Sequence, residues 1–239
     1  LTPYKQVLDL WVSQYFGNKA AGEFLTLYGA DVLPALRGER AVGEAQRAAI
    51  ERAKELWQEK RFFHWDLEFP EVFVDLERRD WAEQPGFDVM LGNPPYVRQE
   101  QLAPNKPYFQ TAFAVYHGMT DLYAYFYERD VRLLRQGGWL GLITSNKFLR
   151  ASYGEPLRRF LARETQLQGM IDFGHAPIFE DADTFPVIVV LRRLTTDAIG
   201  AEMQATVCSF PRAALGRVEL AGYAAEHGFA VATSRFGAE

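Results

Sequence analysis

The stretch FDVMLGNPPYVRQ, residues 87–99, decides how this chain is read. Phe87-Asp88-Val89-Met90-Leu91 is short, apolar and partly β-branched, the pattern of a strand. Gly92 releases the backbone, and Asn93-Pro94-Pro95-Tyr96 follows at once. Neither proline can donate to a sheet ladder, so the strand has to stop there. Each proline also restricts the residue before it to extended geometry, which holds Asn93 and Pro94 in place. The expected result is a stiff loop carrying one amide and one aromatic ring at the carboxyl end of a strand. Open α/β sheets bind their ligands at that end.

Outward from this loop, the pattern predicts alternating elements. Residues 5–16 and 42–60 read as helices, with a mixed, partly helical segment between them. Residues 61–76, RFFHWDLEFPEVFVDL, are dense in aromatics and read as strand, turn and short strand. A helix is expected over about 121–135, capped by Thr120 or Asp121, with Leu122, Phe126, Leu133 and Leu134 as its apolar stripe and Gly137-Gly138 as its stop. Residues 139–144 read as a strand, 154–164 as a helix, 167–173 as a strand, and 185–191 as a last strand that begins at a proline. The order implies a doubly wound α/β sheet ending in an antiparallel hairpin, preceded by an N-terminal helical segment. Residues 1–60 read as a helical lead-in, 61–194 as the main α/β portion and 195–239 as a connector without strong periodicity.

With 239 residues, 48% hydrophobic and 24% charged, the chain has the composition of an ordinary globular protein with one substantial core. The apolar run Val187 to Leu191 is far too short to span a bilayer, and Leu1-Thr2-Pro3-Tyr4-Lys5 does not open a signal peptide. The single cysteine, Cys208, agrees with a reducing cytoplasm. It and the four histidines are scattered without ligand spacing, so no structural metal site is expected. The net charge of −5 is unevenly distributed: residues 1–97 and 164–239 are each net acidic by five, whereas 98–163 are net basic by five. The basic third begins directly after the Asn93–Tyr96 loop. Arg98, Lys106, Lys147, Arg150, Arg158 and Arg159 are therefore candidates to meet a polyanion, or else solvated helix faces.

The loop suits one kind of chemistry. The exocyclic amine of adenine is a poor nucleophile because its lone pair is delocalised into the ring. Two acceptors on its N–H bonds draw the nitrogen toward a tetrahedral, reactive form. The Asn93 side-chain oxygen and the Pro94 carbonyl, stiffened by Pro94 and Pro95, can supply both. Tyr96 can stack on a flat base and hold it at attack distance. Within duplex DNA the base must first be flipped out of the stack.

Asn93-Pro94-Pro95-Tyr96 after an apolar strand resembles the catalytic motif of S-adenosylmethionine-dependent adenine-N6 DNA methyltransferases. The succession RFFHWDLEFPEVF, GFDVMLGNPPY, DLYAYFYERDVRLLRQGGWLGLITSNKF, ASYGEPLRRFL and IFEDADTFPVIVVL is similar to the methylase part of type IIG restriction–modification enzymes and of related phage-defence methylases. The resemblance covers most of residues 61–194, and the N-terminal helices resemble the segment that precedes it in those proteins. It implies a class I, Rossmann-like methyltransferase sheet of which this chain is the C-terminal half, with S-adenosyl-L-methionine as cofactor and double-stranded DNA as partner. It also implies that Asn93 and Pro94 bind the target amine and that Tyr96 stacks on the base. A second stacking aromatic falls on Phe179, with Phe185 the weaker candidate. Asn146 and Lys147 either line the substrate cleft or are plain loop residues.

The glycine-rich turn that holds the donor in this fold is not found in the sequence. Phe16-Gly17-Asn18-Lys19-Ala20-Ala21-Gly22 lacks a preceding apolar strand, and Asp66, Glu68 and Glu71 cannot be assigned a donor contact. The chain, beginning with leucine, is expected to be a piece of something longer. The donor-binding half would lie upstream, a target-recognition domain downstream, and a nuclease domain, where one exists, further upstream. Such a piece is expected to bind the donor weakly, to be inactive by itself and to expose an apolar sheet edge. Two other readings stay open: a methyltransferase of the same motif acting on a protein glutamine amide or on RNA, and a non-catalytic DNA-contacting or packing module.

Overall fold

A computed structural model describes residues 2–174, 178, 185–198 and 204–233. Residues 1–83 and 84–239 form two compact units. In the first, α1 (Thr2–Ser13), α2 (Lys19–Tyr28), α3 (Val32–Leu36) and α4 (Glu44–Lys60) bury Leu10, Ala21, Phe24, Val32, Ala35, Ala49 and Ala53 in one cluster. The alanines let α4 lie close to its neighbours. Polar pins add direction: Asn18 Nδ2 donates to Ser13 Oγ (2.9 Å) and to the Ala49 carbonyl (2.8 Å). His64 Nε2 lies 2.7 Å from Asp9 Oδ1, and both side chains are nearly buried.

Residues 61–76 depart from the expected strand and turn. They form two short helical turns, α5 (Trp65–Glu68) and α6 (Pro70–Phe73), before a two-residue β1 (Val74–Asp75) that pairs antiparallel with β2 (Asp80–Trp81). Pro70 opens α6 at its first position, where a missing N–H costs nothing. Trp65 and Phe69, four residues apart, stack at 5.8 Å, which is a helical spacing.

The second unit carries the remaining elements: β3 (Phe87–Gly92), α7 (Lys106–Ala112), α8 (Leu122–Leu133), β4 (Leu134–Ser145), α9 (Glu155–Glu164), β5 (Thr165–Asp172), β6 (Pro186–Arg193), β7 (Gln204–Ser209), α10 (Leu220–His227) and β8 (Phe229–Ala232). Six strands form one sheet in the order β3-β4-β6-β5-β7-β8. β3 is parallel to β4, β6 is antiparallel to both β4 and β5, and β7 is parallel to β5. The expected α/β sheet with an antiparallel strand pair and a helical N-terminal region is therefore what the chain forms. Alternate residues face the core, Leu140, Leu142 and Thr144 on β4 and Val187, Val189 and Leu191 on β6.

Three local readings change. The inward face of α8 is Tyr123, Ala124, Tyr127 and Val131, whereas Phe126 is 36% exposed. Tyrosine can be fully buried here because its hydroxyl finds a partner: Tyr127 lies 3.0 Å from Thr144 Oγ1. Gly137-Gly138 does not stop the helix, since β4 already begins at Leu134. The glycines sit in a bulge between the Phe87–Leu134 and Val89–Trp139 pairs, where a Cβ on Gly138 would lie 2.9 Å from the Phe87 carbonyl oxygen. Residues 204–209 and 229–232, within the segment read as a connector, extend the sheet; β8 pairs antiparallel with β7. Their four- to six-residue runs are too short to show a period.

The α8 face also holds two buried carboxylates. Glu128, with no exposed surface, accepts from the backbone N–H groups of Ala114 (3.1 Å) and Val115 (2.8 Å) and pairs with Arg132. Asp130 is buried, and desolvation pushes its carboxyl up to about 6 against a partial pull from Arg129. A carboxyl raised in the folded state binds its proton more tightly there than in the unfolded chain. Stability is therefore lost as the pH rises from about 4 to about 6. Asp130→Asn should remove that loss. Urea denaturation should find the variant and the wild type equally stable near pH 4, and the variant more stable at pH 7 by on the order of 2–3 kcal/mol.

Candidate active site

Because β3, β4 and β5 run in one direction, the loops that follow them emerge at one end of the sheet. Three segments meet this description: Asn93–Tyr96 after β3, Asn146–Leu149 after β4 and Phe173-Gly174 after β5. In the first, Pro94 is buried, Asn93 and Pro95 are exposed, and Tyr96 is half-buried. Burial raises the Tyr96 phenol above its ordinary pKa. The Val97 N–H donates to the Pro95 carbonyl at 2.9 Å, so Tyr96 is the central residue of a three-residue turn.

The second and third segments are stitched to each other. Asn146 Nδ2 donates to Asp172 Oδ1 at 2.9 Å, and the same oxygen accepts from the Gly174 N–H at 2.9 Å. The Asn146 N–H donates to the Phe185 carbonyl at 2.7 Å. The amide's nitrogen is thus committed, and its oxygen keeps its acceptor capacity. Asn146, Lys147, Arg150, Tyr153, Asp172 and Phe185 line a cleft of about 520 Å³. Lys147 and Arg150 are exposed at its rim.

The basic residues divide by what they do. Arg98, Lys147 and Arg150 are exposed. Lys106 donates to Gln99 Oε1 (2.6 Å) and to the Gly118 carbonyl (2.7 Å). Arg158 Nη1 donates to the Phe148 and Ala151 carbonyls at 2.7 and 3.0 Å, which fixes the turn after β4 from behind. Gly154 completes that turn, since a Cβ there would lie 2.2 Å from the Phe148 carbonyl oxygen. Arg159 forms an exposed ion pair with Glu155. Phe179 lies outside the described residues. Asp121 stands at the N-cap position of α8, but its side chain accepts from the Gln99 N–H at 2.9 Å and makes no bond to its own helix. Of the acidic residues before β1, Asp66 is exposed and Glu68 pairs with Lys5 at 3.0 Å.

Among the described residues no strand runs into a glycine-rich turn. β3 leads into Gly92-Asn93-Pro94, β4 into Ser145-Asn146 and β5 into Phe173-Gly174.

The Asn-Pro-Pro-Tyr loop follows β3, and the cleft rimmed by Lys147 and Arg150 follows β4, its neighbour in the sheet. The profile of the Eco57I restriction-modification methylases matches residues 23–179, and the chain belongs to that family. It is 37% identical over 123 residues to the type II methyltransferase M.XhoI of Xanthomonas vasicola, covering 49% of this chain and 22% of the relative. It is 31% identical over 115 residues to the type II restriction enzyme and methyltransferase RM.Eco57I of Escherichia coli, covering 46% of this chain and 12% of the relative. The chain thus spans about a fifth or less of the length of these curated relatives. Among solved structures, the type IIG restriction endonuclease BpuSI matches 52% of this chain and 15% of its own at a TM-score of 0.39 and 18% identity. The M protein of the type I restriction enzyme EcoKI matches 53% of this chain and 26% of its own at a TM-score of 0.38 and 14% identity.

The carbonyl bonds of Arg158 have a measurable consequence. Arg158→Ala frees two carbonyls and should cost about 2 kcal/mol. Arg159→Ala, which removes only an exposed pair, should cost less than about 0.5 kcal/mol. Thermal midpoints of the two variants should separate accordingly.

Proposed function

We propose that this chain carries the target-amine site of a methyltransferase that modifies N6 of adenine in double-stranded DNA, within a restriction-modification system. The observation that carries the reading is the Asn93–Tyr96 loop, stiffened by two prolines at the carboxyl end of β3, in a chain of the restriction-modification methylase family. Asn93 Oδ1 and the Pro94 carbonyl accept the two N–H bonds of the amine. As the nitrogen becomes bound to the methyl group, positive charge develops on it, and both acceptors stabilise that charge in place. Tyr96 stacks on the flipped base and fixes its distance from the donor. S-adenosyl-L-methionine supplies an electrophilic methyl group when bound. Its binding residues are proposed to lie in parts of the protein other than those described.

The exposed residues Arg98, Lys147 and Arg150 are proposed to contact DNA phosphates. Lys106 and Arg158 donate to carbonyl groups of their own fold, which leaves fewer free cations than the charge count suggests. Phe179 remains the proposed second stacking residue, on the resemblance alone.

The test uses the full-length protein and genomic DNA free of N6-methyladenine, with modified bases quantified by mass spectrometry. Wild-type protein should deposit N6-methyladenine, and Asn93→Ala should lose at least about a hundredfold in turnover. Full activity in Asn93→Ala would assign the loop a packing role. A folded, donor-binding protein that leaves adenine unmodified would move the substrate to a protein amide or RNA. Separately, Lys147→Ala should weaken DNA binding and lower the slope of log K against log salt concentration by about one, whereas Lys106→Ala should leave that slope unchanged.

A further inference from the structure

We propose that Asp121 is a positioning residue that sets the orientation of Tyr96, by clamping the chain that leaves the Asn93–Tyr96 loop onto the start of α8. The inference rests on the methyltransferase reading above and adds to it a residue outside the loop.

Asp121 has the extended backbone (φ −74°, ψ 161°) expected of an N-cap residue, and aspartate at that position ordinarily accepts from the second or third N–H of its own helix. Here the side chain is turned elsewhere and accepts from the Gln99 N–H, 22 residues back in the chain. The next residue adds a second bond in the opposite sense, with the Leu122 N–H donating to the Val97 carbonyl at 3.0 Å. The two bonds grip Val97 and Gln99 on either side of exposed Arg98. Lys106 gives a third anchor, joining the Gln99 side chain to the Gly118 carbonyl.

The Asp121 bond holds Gln99, three residues beyond Tyr96, and the Leu122 bond beside it holds the intervening Val97. Val97, held by Leu122, closes the three-residue turn whose centre is Tyr96. A three-residue turn has one central residue, so rotating either end rotates that residue's side chain with it. Asn93 is already limited by Pro94, and the two prolines transmit the fixed exit of the loop back to its entrance. An aromatic platform helps only when it holds the base at the reacting distance, and a displacement of about 1 Å can lose roughly two orders of magnitude in rate.

A competing explanation is that Asp121 simply favours the positive end of α8. Two substitutions separate the alternatives. Asp121→Asn retains an oxygen at the same reach and can still accept from Gln99. Asp121→Ser caps helices as well as aspartate does but is too short to make the clamp. In the full-length protein, with genomic DNA lacking N6-methyladenine and isotopically labelled S-adenosylmethionine, Asp121→Asn should stay within about threefold of wild-type kcat. Asp121→Ser should lose roughly ten- to a hundredfold in kcat with the donor KM and the thermal midpoint unchanged. Equal kcat in the two variants would overturn the proposal, as would a Ser variant whose loss tracks its thermal midpoint.

Hydrogen exchange provides a reading that does not depend on turnover. The peptide spanning residues 94–102 should exchange faster in Asp121→Ser than in wild type, and at the wild-type rate in Asp121→Asn. If the wild-type protein methylates no adenine, the functional reading fails by itself; the clamp then stands on faster exchange in the Ser variant alone and falls if exchange is the same in all three proteins.

Discussion

The site depends on one strand inserted against the direction of its neighbours. β6 lies between β4 and β5 and pairs antiparallel with both, so that Val187 is opposite Thr144 on one side and Asp172 on the other. This register brings the ends of β4 and β5, which run parallel but never touch as a pair, to the same height. Asn146 can then reach Asp172 across the width of one strand. A slip of one residue would turn the buried Val187, Val189 and Leu191 outward, so the hydrophobic alternation of β6 enforces the polar contact at its end.

Much of the scaffold could be read from the sequence, because long amphipathic helices and apolar runs announce their own period. α4, α8 and α9 and the strands β3, β5 and β6 lie close to their expected limits. Failures occur where period is not the deciding signal. The aromatic segment 61–73 is organised by ring stacking and by Pro70 at a helix start, and aromatic density alone favours a strand reading. β4 begins five residues earlier than its apolar core because Gly137-Gly138 serves a bulge, and paired glycines look the same whether they end a helix or bend a strand. β7 and β8 are short and stand at one side of the sheet, where pairing with neighbours matters more than composition.

For the candidate site the division is sharper. Asn93 to Tyr96 are contiguous, and the covalent limits that proline imposes can be derived from four letters. The bond between Asn146 and Asp172 spans 26 residues and that between Gln99 and Asp121 spans 22, so neither leaves a local trace. The basic residues show why charge alone misleads. Lys106 and Arg158 are indistinguishable in sequence from Lys147 and Arg150, yet their donors meet carbonyl groups of their own fold. Knowing which cations are committed requires the acceptors' positions, and those come only with the tertiary structure.

β3 has a consequence beyond catalysis. It stands at one side of the sheet with Leu91 81% and Val89 54% exposed, a row of apolar side chains beside backbone groups that face away from β4. Such a strand is a template for pairing with a second copy of itself. Asp88 precedes Val89, points to the opposite face of the strand and pairs with Arg135 at 2.6 Å. A charged residue on an edge strand disfavours edge-to-edge pairing, so Asp88 guards β3 from the face opposite its apolar row.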